Sequence, residues 1–135
     1  MSKAGGRGEP RHDRGWSAAA AGIERWRLSQ SWRRAVDAEL RVLDLNLTRW
    51  LVLQVTSLGT ASGDPVSQRE VAERAGMTEM AVSNAMGNLV VRDWVDRATG
   101  DGSSAWRIYL TPSGERVLAE GRARIEAVSA RWFAR

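Results

Sequence analysis

Apolar positions in this chain recur at helical spacing for most of its length and switch once to alternation. Across 17–44, Ile23, Trp26, Val36, Leu40 and Leu43 trace one stripe, joined by Trp32, which predicts a long amphipathic helix. The segment NLTRWLVLQVTSLG, 46–59, is apolar nearly all round and reads as a buried central helix, capped at Thr48 and ended near Gly59. TASGDPV, 60–66, is turn chemistry, with Pro65 keeping the chain extended. Trp106, Ile108 and Leu110 then alternate with Arg107 and Tyr109, the period of a half-buried strand. With 95–97 as its partner and 98–105 as a Gly/Ser/Asp loop, this is a β-hairpin. A last helix opens at Thr111 and Pro112, with Leu118, Ile125, Val128 and Trp132 as its stripe. Gly121 within it implies a close helix crossing or a bend.

The chain is organised around SQREVAERAGMTEMAVSNAMGNLVVRDW, 67–94. Ser67 followed by Glu70 is a capping box, starting a short helix over about 67–74. Gly76 suits the left-handed turn after it, and Thr78 offers the next N-cap oxygen. The second helix runs to about Arg92, with Asp93 in the terminating position. Val71 and Ala75 on the first helix face Val82, Met86 and Leu89 on the second, and Ala72 is small where the two approach. Two short helices joined by a tight turn containing Gly form a helix-turn-helix, whose second helix enters a DNA major groove. The hairpin directly after it makes a winged helix. The fold class is therefore mostly α with a small β-hairpin wing, a winged helix-turn-helix flanked by long N- and C-terminal helices.

Composition adjusts this picture in three ways. The 135 residues suit one domain, and no apolar run is long enough for a membrane span. Without cysteine, and without the apolar core of a secretory signal, the cytoplasm is the expected location. The formal net charge of +4 invites a polyanion, but the excess lies wholly in residues 1–58, since 59–135 holds ten basic and ten acidic side chains. The Gly-rich, charged stretch 1–15 reads as a disordered arm. The lone histidine, His12, lies in it, so no Ser/His/acid set forms and no metal or other cofactor is expected. Catalysis has no support, and the chain is not read as an enzyme.

DNA readout would fall to the first turns of the second helix: Thr78, Glu79, Met80, Ser83 and Asn84, with Asn88 one turn on. Asn84 suits adenine, Glu79 a cytosine amino group, Met80 a thymine methyl, and Ser83 either base or phosphate. Ser67, Gln68, Arg69, Arg74, Arg92, Arg97 and Arg107 are the phosphate candidates.

This order of elements resembles the MarR (multiple antibiotic resistance regulator) family of bacterial transcription factors. The TRWLVL helix, VSQREVAERAGMTEMAVSNAMGNL, the RDWVDR step into the wing and the LTPSGERVL after it carry the resemblance, over about residues 20–120. It implies a homodimer held by the terminal helices, a repressor bound to a pseudo-palindromic operator in double-stranded DNA, and release by a small aromatic acid. The expected segments are then 1–15 (arm), 16–45 (N-terminal dimerisation helix), 46–111 (DNA-binding domain) and 112–135 (C-terminal dimerisation helix). Trp26 and Trp50, with Arg33 as cation, are the expected partners of an aromatic carboxylate.

The sequence departs from the family at the wing, where Ser103 and Ser104 stand in place of arginines, and in the second helix, which has no Lys or Arg over 78–91. The family's further C-terminal helix is also missing from a chain that stops at Arg135. With Val90 and Val91 expected at the surface, the alternative function is a winged-helix module for dimerisation or protein interaction without specific DNA binding.

Overall fold

The computed structural model describes the backbone of residues 2–99 and 106–133, and side chains within 17–98 and 107–133. It contains α1 (Ser2–Leu40), α2 (Leu47–Ser62), α3 (Gln68–Ala75), α4 (Glu79–Val91), β1 (Val95–Thr99), β2 (Trp106–Leu110) and α5 (Pro112–Phe133). These fall into two compact units, Met1–Ala35 and Val36–Arg135.

The first unit is the body of α1. This helix begins at Ser2, so residue 15 marks no boundary of secondary structure and the expected disordered arm is instead drawn as helix. Extending an existing helix requires no new nucleus, whereas composition alone judges the segment in isolation. Ile23 and Trp26, on the expected stripe, are exposed at 47% and 62%.

In the second unit, Val36 and Leu40 at the end of α1 are fully buried. The helix stops there rather than at Asp44. A 3₁₀ turn, Arg41–Leu43, follows, and Asp44 takes a left-handed conformation with φ 58°. The Asp37 carboxylate accepts the Leu47 amide at 2.7 Å across this corner. The central helix is capped by Asn46, whose side chain accepts the Arg49 amide at 2.8 Å, and not by Thr48. Asn is as good an N-cap as Thr or better, and here it stands ahead of the apolar run.

Nor does α2 end at Gly59. It continues to Ser62, with Gly63 at φ 77° as its left-handed cap. Gly59 serves packing instead: a Cβ there would lie 2.8 Å from Val66 Cγ1.

As expected, α2 is the central helix, packing against α3, α4, α5 and β2. Trp50, Val52, Leu53 and Val55 are buried along it, each such side chain contributing about 1.5–3 kcal/mol. Val71, Val82, Met86 and Leu89 reach the same core from α3 and α4. The wing strands pair antiparallel from Val95 opposite Leu110 to Thr99 opposite Trp106. Ile108 also donates its amide to the Val66 carbonyl at 2.8 Å, fastening the wing to the chain ahead of α3. The wing tip, with Ser103 and Ser104, lies outside the described residues.

The glycine inside α5 marks a close crossing. Trp50 is 8% exposed and its indole N–H donates to the Leu118 carbonyl at 3.1 Å. A Cβ on Gly121 would sit 2.5 Å from its ring. Gly121→Ala should therefore destabilise the protein by about 1–3 kcal/mol despite alanine's better helix propensity. A thermal melt of the variant checks this; an unchanged or raised melting temperature would show that the crossing has slack.

Candidate nucleic-acid interface

Local chemistry fixes the helix pair. The Ser67 side chain accepts the Glu70 amide at 3.2 Å, and the Ser67 amide donates back to Glu70 Oε1 at 3.2 Å, completing the capping box. Gly76 then adopts φ 68°, which glycine takes without strain, and its amide bonds the Ala72 carbonyl. Thr78 caps α4 by accepting the Ala81 amide at 3.1 Å. Asp93 closes α4 in the left-handed region at φ 62°.

Val82, Ala85, Met86 and Leu89 of α4 are buried. The opposite side of this helix carries Met80, Ser83, Asn84, Gly87 and Val91, all exposed, with Met80 at 75% and Val91 at 86%. Glu79 is exposed on the first turn. Val90, expected at the surface, is partly covered. Asn88 is half-buried, and its Oδ1 accepts Arg92 Nε at 3.0 Å.

Of the expected readers, then, Glu79, Met80, Ser83 and Asn84 lie together on the outer surface, while the Thr78 hydroxyl oxygen and the Asn88 amide oxygen have bonds within the chain. Ser67 is likewise occupied as a cap, and Gln68 is half-buried at the start of α3.

The cations around this surface are largely matched by acids. Arg69 pairs with Glu73 at 3.5 Å and Arg74 with Glu70 at 4.0 Å, both exposed pairs of small energetic weight. Arg107 on β2 donates to Glu70 Oε1 at 3.0 Å and to the Pro65 carbonyl at 3.3 Å. It thus joins the wing to α3 rather than standing out from the strand. Arg97 is exposed on β1. Arg92 pairs with Asp44, and its guanidinium lies 5.3 Å from the Trp94 ring centroid, a cation–π contact. The Asn88 partner of Arg92 was detectable in sequence at a spacing of four. Asp44, 48 positions upstream, gave no local signal.

The three aromatic-acid candidates differ in setting. Trp26 borders an open groove on α1 with Arg27, Gln30, Ser31 and Arg34. Arg33 is exposed on the same helix. Trp50 belongs to the core described above, with the Arg122 guanidinium 5.9 Å from its ring.

Glu70 is the electrostatic centre of the helix pair. The Ser67 amide, foremost, holds its carboxyl below the usual carboxylate range; partial burial opposes this, and the Ser67 hydroxyl, Arg107 and Arg74 add to the lowering. A folded-state value below the unfolded one stabilises the fold above the unfolded pKa and loses that stabilisation as pH falls through the folded value. The melting temperature should therefore drop on acidification below about pH 4, the ordinary carboxylate range. Glu70→Gln should be less stable at neutral pH and show a shallower acid limb, readable by circular dichroism melts across pH. An unaltered acid limb in the variant would assign the pH dependence to other carboxylates.

No family model matches the sequence, and no curated protein does either. Solved structures do. A MarR-family transcriptional regulator from Rhodococcus sp. RHA1 is 27% identical, with a TM-score of 0.75, covering 86% of this chain and 80% of that one. A Mycobacterium tuberculosis MarR-family protein in complex with salicylic acid is 25% identical, with a TM-score of 0.67 and coverage of 84% and 82%. MepR of S. aureus, bound to an oligodeoxyribonucleotide, is 19% identical at a TM-score of 0.63, with coverage of 82% and 80%, a likeness of fold alone.

Proposed function

We propose that this chain, a winged-helix protein of the MarR family, is a transcriptional repressor that binds a pseudo-palindromic operator as a homodimer and leaves it on binding a small aromatic acid. The observation that carries the reading is the outer face of α4. Met80, Ser83 and Asn84 stand exposed on the helix that the Gly76 turn presents, with the wing strands following directly after it. Amide, hydroxyl and thioether groups at this place suit base edges in a major groove. The DNA-bound state of the similarly folded MepR agrees with that use of the face.

Phosphate contacts fall to Arg69, Arg74 and Arg97, with Arg107 positioning the wing. Because α4 contributes no cation and most nearby arginines already face acids, binding to random DNA is weak and sequence recognition supplies most of the affinity. Dimerisation through the terminal helices provides the two half-sites.

A second reading, a module docking on another protein, draws support from Val91, 86% exposed on the same face. Selection of duplexes from a random pool separates the two. Enrichment of a two-half-site sequence supports the operator reading, and a pool that stays random refutes it. With the enriched duplex, Asn84→Ala should lose about 1–3 kcal/mol at one base position while binding to random DNA is nearly unchanged.

For the effector, Trp26 is the ring open to a ligand, with Arg27, Arg33 and Arg34 supplying cations on the same helix. The salicylate complex of the similar M. tuberculosis protein supports this class. Salicylate should quench tryptophan fluorescence saturably and release the enriched duplex, both effects being lost in Trp26→Phe. Full release by salicylate from the variant would remove Trp26 from the site.

A further inference from the structure

Gly87 has no role in the folded chain that accounts for a glycine. It lies inside α4 without the positive φ of Gly63 and Gly76, so any residue could adopt its backbone conformation. A Cβ built on it meets nothing within 4 Å, so no packing contact excludes a side chain either. An exposed helix interior is nevertheless where glycine is about 1 kcal/mol worse than alanine. A residue that weakens its own helix with no return from the fold fits a place where something outside the chain comes close to the backbone.

Its neighbours indicate what comes close. Gly87 lies four residues after Ser83 and three after Asn84, so helical geometry puts all three on one face, with Met80 and Val91 one turn beyond on either side. The face is uncharged, and its polar groups are short. Lys and Arg can reach a base edge from a helix held well off the groove floor, whereas Ser and Asn cannot. Hydrogen bonds from Ser83 and Asn84 to bases therefore require the helix axis to sit deep, and a side chain at 87 would be first to strike the DNA. The one guanidinium next to this face, that of Arg92, is held away by Asn88, Asp44 and Trp94.

We infer that Gly87 is the point of closest approach between α4 and the DNA, a specificity-determining residue that admits the helix far enough for Ser83 and Asn84 to read bases. This rests on the operator-binding reading above.

The test uses the full chain, the duplex enriched from the random pool and an unrelated duplex of equal length. Gly87→Ala should raise the melting temperature by about 2–6 °C, because the helix gains propensity. It should also weaken binding to the enriched duplex about tenfold, the size of one lost base contact. Gly87→Leu, still a good helix former, should reduce the enriched duplex to the affinity of the unrelated one, while the unrelated duplex binds all three proteins alike.

Stability and selectivity thus move in opposite directions, which damage to the fold cannot imitate. If Gly87→Ala is more stable and binds the enriched duplex as tightly as the parent, the close approach is refuted and operator binding stands. A lowered melting temperature in Gly87→Ala would overturn it by revealing a structural role. If the parent enriches no sequence, the operator reading fails and takes this inference with it.

Discussion

The unit Val36–Arg135 depends on burying one helix, α2, against four other elements at once. A helix covered on most sides needs its partners close, and closeness is set by the residues without side chains at the crossings. Gly121 lets α5 lie against the Trp50 ring, and Gly59 lets Val66 reach the backbone of α2. Through Val66 the wing is drawn in, because the Val66 carbonyl holds the Ile108 amide. The same packed helix therefore orients α3 and α4 on one side and anchors the base of the wing on another. Interiors at crystal-like density transmit displacement rather than absorb it, so a shift of α5 against Trp50 would be felt at both.

A second, polar layer sits over this core. Glu70 closes the capping box of α3 and takes Arg107 from β2, so the carboxylate that starts one helix also sets the position of a strand. Arg92 does the same at the far end of α4, joining it to Asp44 just after the 3₁₀ turn. Arginines that composition offers as phosphate contacts are thus partly spent on internal geometry. The field that would draw in any polyanion is correspondingly reduced. Long-range attraction is weak, and discrimination must come from the fit of a short, neutral helix face.

How much of this was legible in the sequence follows from range. Signals confined to a few residues were readable: the Ser67–Glu70 box, the Gly76 turn, the Thr78 cap, the left-handed close at Asp93, and the alternation of Ile108 and Leu110. The misplacements came from signals that compete locally. Asn46 and Thr48 are both caps, and only the burial of Leu47 decides between them. Gly59 and Gly63 can each end a helix, and the contact with Val66 assigns Gly59 to packing. For the candidate site, residue types placed Met80, Ser83 and Asn84 on the right face. The engagement of Asn88 and Arg107 depends on partners 4 and 37 residues away, the second beyond any pattern in the chain.

What the sequence presented as a deficit, a recognition helix without lysine or arginine, has a different meaning in three dimensions. A cationic helix gains affinity from any phosphate and so must discriminate against a large non-specific background. A helix carrying Met80, Ser83, Asn84 and Gly87 on its outer face has little to gain until base edges are within reach of short side chains. Affinity and selectivity then arise from the same few contacts. Small changes in how α3 and α4 are held, through Glu70, Arg92 or the Trp50 crossing, would act on both together.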